Sequence, residues 1–265
     1  MNPPPARFTD LVAAEWIKLR SLRSTPWLLG LVTAFVIGAA AVESFGDRGE
    51  LPPDAPPAAM LMDAFSRAGF MTLMLVAAAA GAVAVVSEYG SGMIRTTTVA
   101  VPARGSVLLA KAVVVTAVWT VVGLVASTVS YLVARAVLGA EIDVPSLTDA
   151  GAARAYAACV LVAPVCALIG LGAGVLIRHS GTTMVTVAVA LLMLPTFFAT
   201  DRRWTAAVHH AMVFPAWGRL VDTWPRFETP PGFFRAEIGP SWAVYGIWPL
   251  VMITLAVLVI RRRDV

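Results

Sequence analysis

Residues 112–137 read AVVVTAVWTVVGLVASTVSYLVARAV, an unbroken apolar run in which Arg135 is the only charged side chain. A helix needs roughly 20 apolar residues to cross a hydrocarbon core of about 30 Å. Backbone amides in hydrocarbon must be satisfied within the segment itself, so an apolar run of this length is a membrane helix. Five further blocks have the same character, at 27–45, 65–86, 155–177, 182–200 and 243–260. Composition agrees: 58% of the 265 residues are apolar and 14% charged, whereas soluble domains carry about 25% charged residues. The sequence therefore predicts an all-α membrane protein, one transmembrane domain over 1–265 with six spans.

Lysine and arginine set the expected orientation. One side of the six-span arrangement holds Arg7, Lys18, Arg20, Arg23, Arg95, Arg104, Lys111, Arg178, Arg261, Arg262 and Arg263, against the acids Asp10, Glu15, Glu88 and Asp264. The positive-inside rule places that side, and both termini, in the cytoplasm. The net charge of +4 suits an anionic inner leaflet of the plasma membrane and implies no nucleic acid. The first block follows some 26 residues that include four basic and two acidic ones, too long and too charged for a signal-peptide leader, so it is read as an uncleaved span. Cys159 and Cys166 lie seven apart on one helix, roughly 10 Å, beyond disulfide reach, and read as small packing residues.

Two segments outside the spans carry structure. In 7–24, Phe8, Leu11, Val12, Trp16, Leu19 and Leu22 form one apolar stripe, while Asp10, Ile17, Arg20 and Ser21 lie away from it. This predicts an amphipathic helix on the cytoplasmic surface of the membrane, its apolar face in the headgroup layer. Glu15 falls inside that stripe; it either snorkels or pairs with Lys18 or Arg20, or it contacts a cytoplasmic partner. The external connection 201–242 repeats Trp217, Leu220, Val221 and Trp224 at helical spacing, with a second set at Trp204, Val208, Ala211 and Met212. Its aromatic content predicts a cap resting in the outer headgroup layer. Gly170 and Gly174 form a GxxxG pattern, and Ala77 to Gly81 allow close helix approach.

The chemistry that the sequence does not carry narrows the function. No ionisable residue lies near the centre of a span; Glu43, Arg67, Arg135 and Arg154 all sit near outer ends. Proton-coupled carriers usually bury Asp, Glu, His or Arg at such depths. No P-loop, nucleophile elbow or metal-ligand spacing is present, so the sequence predicts no catalytic, metal or cofactor site. His209–His210 reads as a surface pair rather than a metal site. Any energy source must belong to another chain.

The cytoplasmic connection 87–111, SEYGSGMIRTTTVAVPARGSVLLAK, is the longest polar stretch on the inner side. Gly90 and Gly92 permit a turn, 93–101 could form about two helical turns, and Pro102 ends them. From the residues alone this is either a short helix that receives a docked partner or a solvated loop with a charge cluster. The segment resembles the coupling-helix region of type-2 ATP-binding-cassette (ABC) transporter permeases, through Glu88, Tyr89, Gly92, Ile94, Arg95, Thr96 and Thr97, then Val101–Pro102 and Arg104. The opening AEWIKLRSLRSTPW, with Glu15, Trp16, Lys18, Arg20 and Arg23, is similar to the connecting helix of the same family.

The resemblance implies that the chain is the membrane-spanning subunit of an ABC exporter. Two such chains, as a homodimer or a heterodimer, would form the pathway, and separate ATP-binding subunits would dock on the coupling and connecting helices. ATP and magnesium would reside on those subunits. The uncharged interior favours a hydrophobic or amphipathic cargo. The alternatives are a secondary transporter or channel, and a non-transporting membrane scaffold.

Overall fold

A computed structural model describes residues 7–49, 60–90, 104–139, 145–222 and 232–262, and among these there is no strand. The elements are α1 (Phe8–Ser21), α2 (Ser24–Asp47), α3 (Met60–Ala64), α4 (Arg67–Gly90), α5 (Arg104–Leu138), α6 (Ala150–Ile177), α7 (Ser180–Ala188), α8 (Arg203–His210), α9 (Val213–Val221) and α10 (Ile238–Arg262). Six segments are long and apolar enough to cross a membrane: Ser24–Asp47, Met60–Tyr89, Gly105–Leu138, Gly151–Ile177, Ser180–Phe197 and Ile238–Arg262. The chain is a multi-pass membrane protein, with the six spans anticipated from its apolar blocks.

Helix α6 is the centre of the bundle, 78% buried over its apolar window, whereas α2, α7 and α10 are each 22% buried. The sequence explains the difference. An Ala- and Gly-rich helix that is apolar all round can be surrounded by other helices at short axial distance. A Cβ added at Gly81 would strike the Ala167 carbonyl, and one at Gly170 would strike that of Ala78. The small residues of α4 and α6 thus interlock reciprocally, and Gly174 lies against Ala82 in the same seam. Where Leu, Phe and Trp dominate instead, as at Trp27, Leu31 and Phe45 of α2, the side chains point outward, 60–82% exposed. Pro164 and Pro249 sit inside α6 and α10. Helix α7 passes into a π turn at Val189–Met193 and a 3-10 turn at Leu194–Phe197, with Pro195 at the start of the latter. A proline that cannot donate its amide disposes the helix to change winding there.

Several sequence expectations need correction. The connection between the second and third spans is shorter than 87–111, because α4 continues to Gly90 and α5 already begins at Arg104. Lys111 is consequently a buried helix residue, not a loop cation. The expected short helix at 93–101 lies outside the described residues. In α1 the apolar stripe divides: Leu11, Val12 and Leu19 turn towards the bundle, half-buried, while Phe8, Trp16 and Leu22 are 44–58% exposed. Helix-on-protein packing competes with headgroup insertion and takes part of the stripe.

The connection before the last span contains two helices, as anticipated, but the aromatics of α9 face inward. Trp217 is 3% exposed and stacks on Phe70 at 5.7 Å and Phe214 at 5.9 Å. Leu220 and Val221 are buried with it, so this face of α9 is packed on protein rather than resting in the headgroup layer. Trp224 lies outside the described residues. The second expected helix is α8, on which Trp204 is 62% and Val208 37% exposed while Ala206 is buried. Arg154 of α6 ties the cap down by donating to the carbonyls of Leu220 and Asp222 at 2.9 and 3.0 Å.

Candidate functional site: a buried charge cluster beneath α1

The end of the bundle where α1 lies also holds the start of α5 and the end of α4, and three helices meet there through four charges. On α1, Glu15 and Lys18 stand one helical turn apart and pair at 2.7 Å. Lys18 Nζ also donates to Glu88 Oε1 of α4 at 3.1 Å. From α5, Lys111 Nζ reaches Glu88 Oε1 at 2.9 Å and Glu15 Oε2 at 2.5 Å. Two acids and two bases close into one neutral quartet.

Burial makes this arrangement informative. Glu15 is 4%, Lys111 7% and Glu88 8% exposed. Isolated charges at such depth would cost several kcal/mol each, about 3–5 kcal/mol appearing when one partner of a buried pair is removed. Each charge here meets two opposite ones, so the cost is met only while α1 stays docked. Lys18 is at the rim, its side chain 35% exposed. Burial alone would lower its pKa, but the Glu15 hydrogen bond and the nearby Glu88 charge together raise it above the usual lysine value. Leu11, Val12 and Leu19 of the same helix are half-buried.

Beside the quartet, Arg178 closes the C-terminus of α6 in the left-handed region at φ 61°, its amide donating to the Gly174 carbonyl at 2.9 Å. Its guanidinium lies 4.9 Å over the ring of Tyr89. The last residues of α4 therefore have distinct surroundings: Glu88 inside the quartet, Tyr89 beneath Arg178.

These positions decide what each sequence candidate can do. Glu15, Lys18 and Glu88 come together. Glu15 takes the pairing alternative with Lys18, extended by Lys111. Glu88, anticipated as a contact for a docked subunit, faces inward within this chain, since two lysines of the chain itself compete for its carboxylate. Trp16, Arg20 and Arg23 lie on the outward side of α1 and its exit, all exposed. Arg104 opens α5. Gly92, Ile94, Arg95, Thr96 and Thr97 lie outside the described residues, on the segment that leaves from the quartet.

The residues missed by sequence reasoning were Lys111 and Arg178. A signal existed for the first: Lys111 interrupts an apolar run, VLLAKAVVV, just as Glu15 interrupts an apolar stripe. Two opposite charges, each stranded on an apolar face, are candidates for each other. Among the described residues no group of three His, Cys, Asp or Glu side chains is placed to hold a metal ion. His209 and His210 stack edge to face at 5.5 Å. Burial, and for His209 also the neighbouring His210, lowers both pKa values.

Six spans of alternating direction, a surface helix and a charge-locked junction define a polytopic helical membrane protein. No family model matches the chain, and no curated protein matches its sequence.

Proposed function

We propose that this chain is the permease subunit of an ATP-driven exporter of the ABC class, with both termini in the cytoplasm of a plasma membrane and a separate ATPase docked beneath the α4–α5 connection. The observation that carries the proposal is the quartet. It joins the helix that resembles the family's connecting helix to both helices that bracket the segment resembling its coupling helix. A push on segment 88–104 from below would be transmitted to α1, α4 and α5 together, because separating any of them exposes a buried charge. Force delivered by ATP-driven closure of docked subunits requires such a stiff junction.

In this reading two chains line the pathway, and the sparsely buried apolar faces of α2, α7 and α10 are shared between the second chain and lipid. A pathway built from such apolar faces would favour hydrophobic or amphipathic cargo. Arg95, Thr96 and Thr97 are the foremost docking contacts, and Glu88 acts through the quartet rather than by touching the ATPase. The test is co-purification with a P-loop ATPase encoded in an adjacent reading frame, comparing wild type with Arg95→Glu. Loss of about 2–5 kcal/mol at a desolvated charged contact would remove the ATPase from the variant complex while membrane insertion stays normal. Equal recovery with both chains would overturn the docking assignment, and ATP-independent transport by the purified chain would favour a secondary carrier instead.

A further inference from the structure

At the end of the bundle opposite α1, a cavity of about 370 Å³ lies between α2, the α3–α4 junction, the 3-10 turn that ends the fifth span, and the α8–α9 cap. Its volume falls within the range of roughly 300–1,000 Å³ typical of small-molecule pockets. Two opposite charges face it without neutralising each other. Glu43, half-buried, accepts a 2.6 Å hydrogen bond from the fully buried Ser66 hydroxyl and makes no ion pair among the described residues. Arg67, exposed at the rim, lies 4.9 Å over the Phe214 ring and likewise makes no ion pair among the described residues. Of the other carboxylates of the wall, Asp222 pairs with Arg235 at 3.0 Å, while Asp63 is buried beside Glu43's side of the cavity and adds to the acidic character of its inner wall. Phe65 and Trp217, nearly fully buried, form the apolar wall, and the buried Nδ1 of His209 has no hydrogen-bond partner among the described residues.

An inner carboxylate with aromatic walls suits an ammonium group, which is attracted by both the charge and the ring faces. An arginine at the rim suits a phosphate oxyanion, which its planar fork can hold through two bonds. The geometry points to a binding site for a zwitterionic phospholipid headgroup, its ammonium inward at Glu43, its phosphate on Arg67, and its acyl chains leaving along the exposed apolar faces of α2 and α7. The site concerns a ligand of the chain itself and stands whether or not an ATPase docks at the other end.

The test uses the purified full chain in maltoside detergent and equilibrium dialysis of radiolabelled dihexanoylphosphatidylcholine below its micellar concentration. Phosphocholine alone, dihexanoylphosphatidic acid and hexyltrimethylammonium serve as the headgroup, anion-only and cation-only comparisons. The zwitterionic lipid is expected to bind at least about tenfold tighter than either single-charge probe, with Glu43→Gln and Arg67→Gln each losing about tenfold, the effect of one charge-assisted hydrogen bond. Gly218 lines the cavity, and a Cβ there meets nothing within 4 Å, so Gly218→Leu starts into open space and should abolish binding, with the thermal unfolding of the variant checking that it is folded. Phosphocholine binding as tightly as the lipid would assign the site to a free solute of the same charge pattern; weaker binding would assign it to lipid. Single-charge probes binding as well as the zwitterion, or wild-type affinity in Gly218→Leu, would overturn the proposal.

Discussion

Replacing Lys111 by methionine should release α1 from the bundle. The substitution keeps the chain length and apolar packing of the lysine stem but leaves Glu15 and Glu88, 4% and 8% exposed, with Lys18 as their one cation in the quartet. Removing one partner of a buried ion pair costs about 3–5 kcal/mol. That shifts the balance between docked and undocked α1 by a factor of roughly 10² to 10³ or more. A cysteine at position 11, on the half-buried face of α1, reports the change through its rate of labelling by a water-soluble maleimide. Background is low because Cys159 and Cys166 are buried. Labelling should be slow in the parent and faster by at least tenfold with Lys111→Met. Adding Glu88→Gln removes the surplus negative charge and leaves a neutral Glu15–Lys18 pair, so it should restore part of the protection; neighbours in one network typically couple by about 0.5–3 kcal/mol. Unchanged labelling in Lys111→Met, or a double variant as exposed as the two single effects combined, would refute the quartet as the lock on α1.

Other consequences concern packing and pH. Gly81→Ala and Gly170→Ala should each lower thermal stability by about 1–3 kcal/mol, because their Cβ atoms meet backbone carbonyls across the α4–α6 seam, whereas Gly38→Ala, with nothing near its Cβ, should be within about 0.5 kcal/mol of wild type. Lys18 has a folded-state pKa above the ordinary 10.5, so its contribution to α1 docking is complete below that pH and is lost as pH rises through the higher folded value; a spin label at position 11 should therefore gain mobility only above about pH 10.5. Trp217 should be shielded from a quencher held at headgroup depth, and Trp217→Ala should cost about 3–5 kcal/mol in unfolding measurements.

The spans were legible because lipid imposes one requirement on every residue of a segment: enough apolar length to cross, with the backbone bonded internally. Periodicity was less decisive at the surface. The stripe of α1 and the aromatic face of α9 were both visible in the sequence, yet lipid and protein reward the same apolar face, so the pattern alone does not say which partner it meets. Glu15 shows where the remaining information lay. Its position in an apolar stripe demanded a partner, and Lys18 was the local candidate, but Lys111 is 96 residues distant in sequence and reaches it only through the fold. The boundary error at 104–111 hid that pairing, since a lysine assigned to a loop needs no buried acid. The αL turn at Arg178 was equally silent, because arginine is not a residue that announces positive φ. The cavity was beyond sequence reasoning altogether: Glu43 and Arg67 both appeared as outer-end charges, and their approach to one space depends on how α9 packs.

The central claim, that this chain is the membrane half of an ATP-driven assembly, is tested most directly by ATP hydrolysis in proteoliposomes. The claim requires a P-loop ATPase partner, and its rate would be measured alone, with the wild-type chain, and with Arg95→Glu at equal incorporation. The account predicts stimulation by the wild-type chain and none by Arg95→Glu. Hydrolysis that is the same with and without the wild-type chain would contradict it.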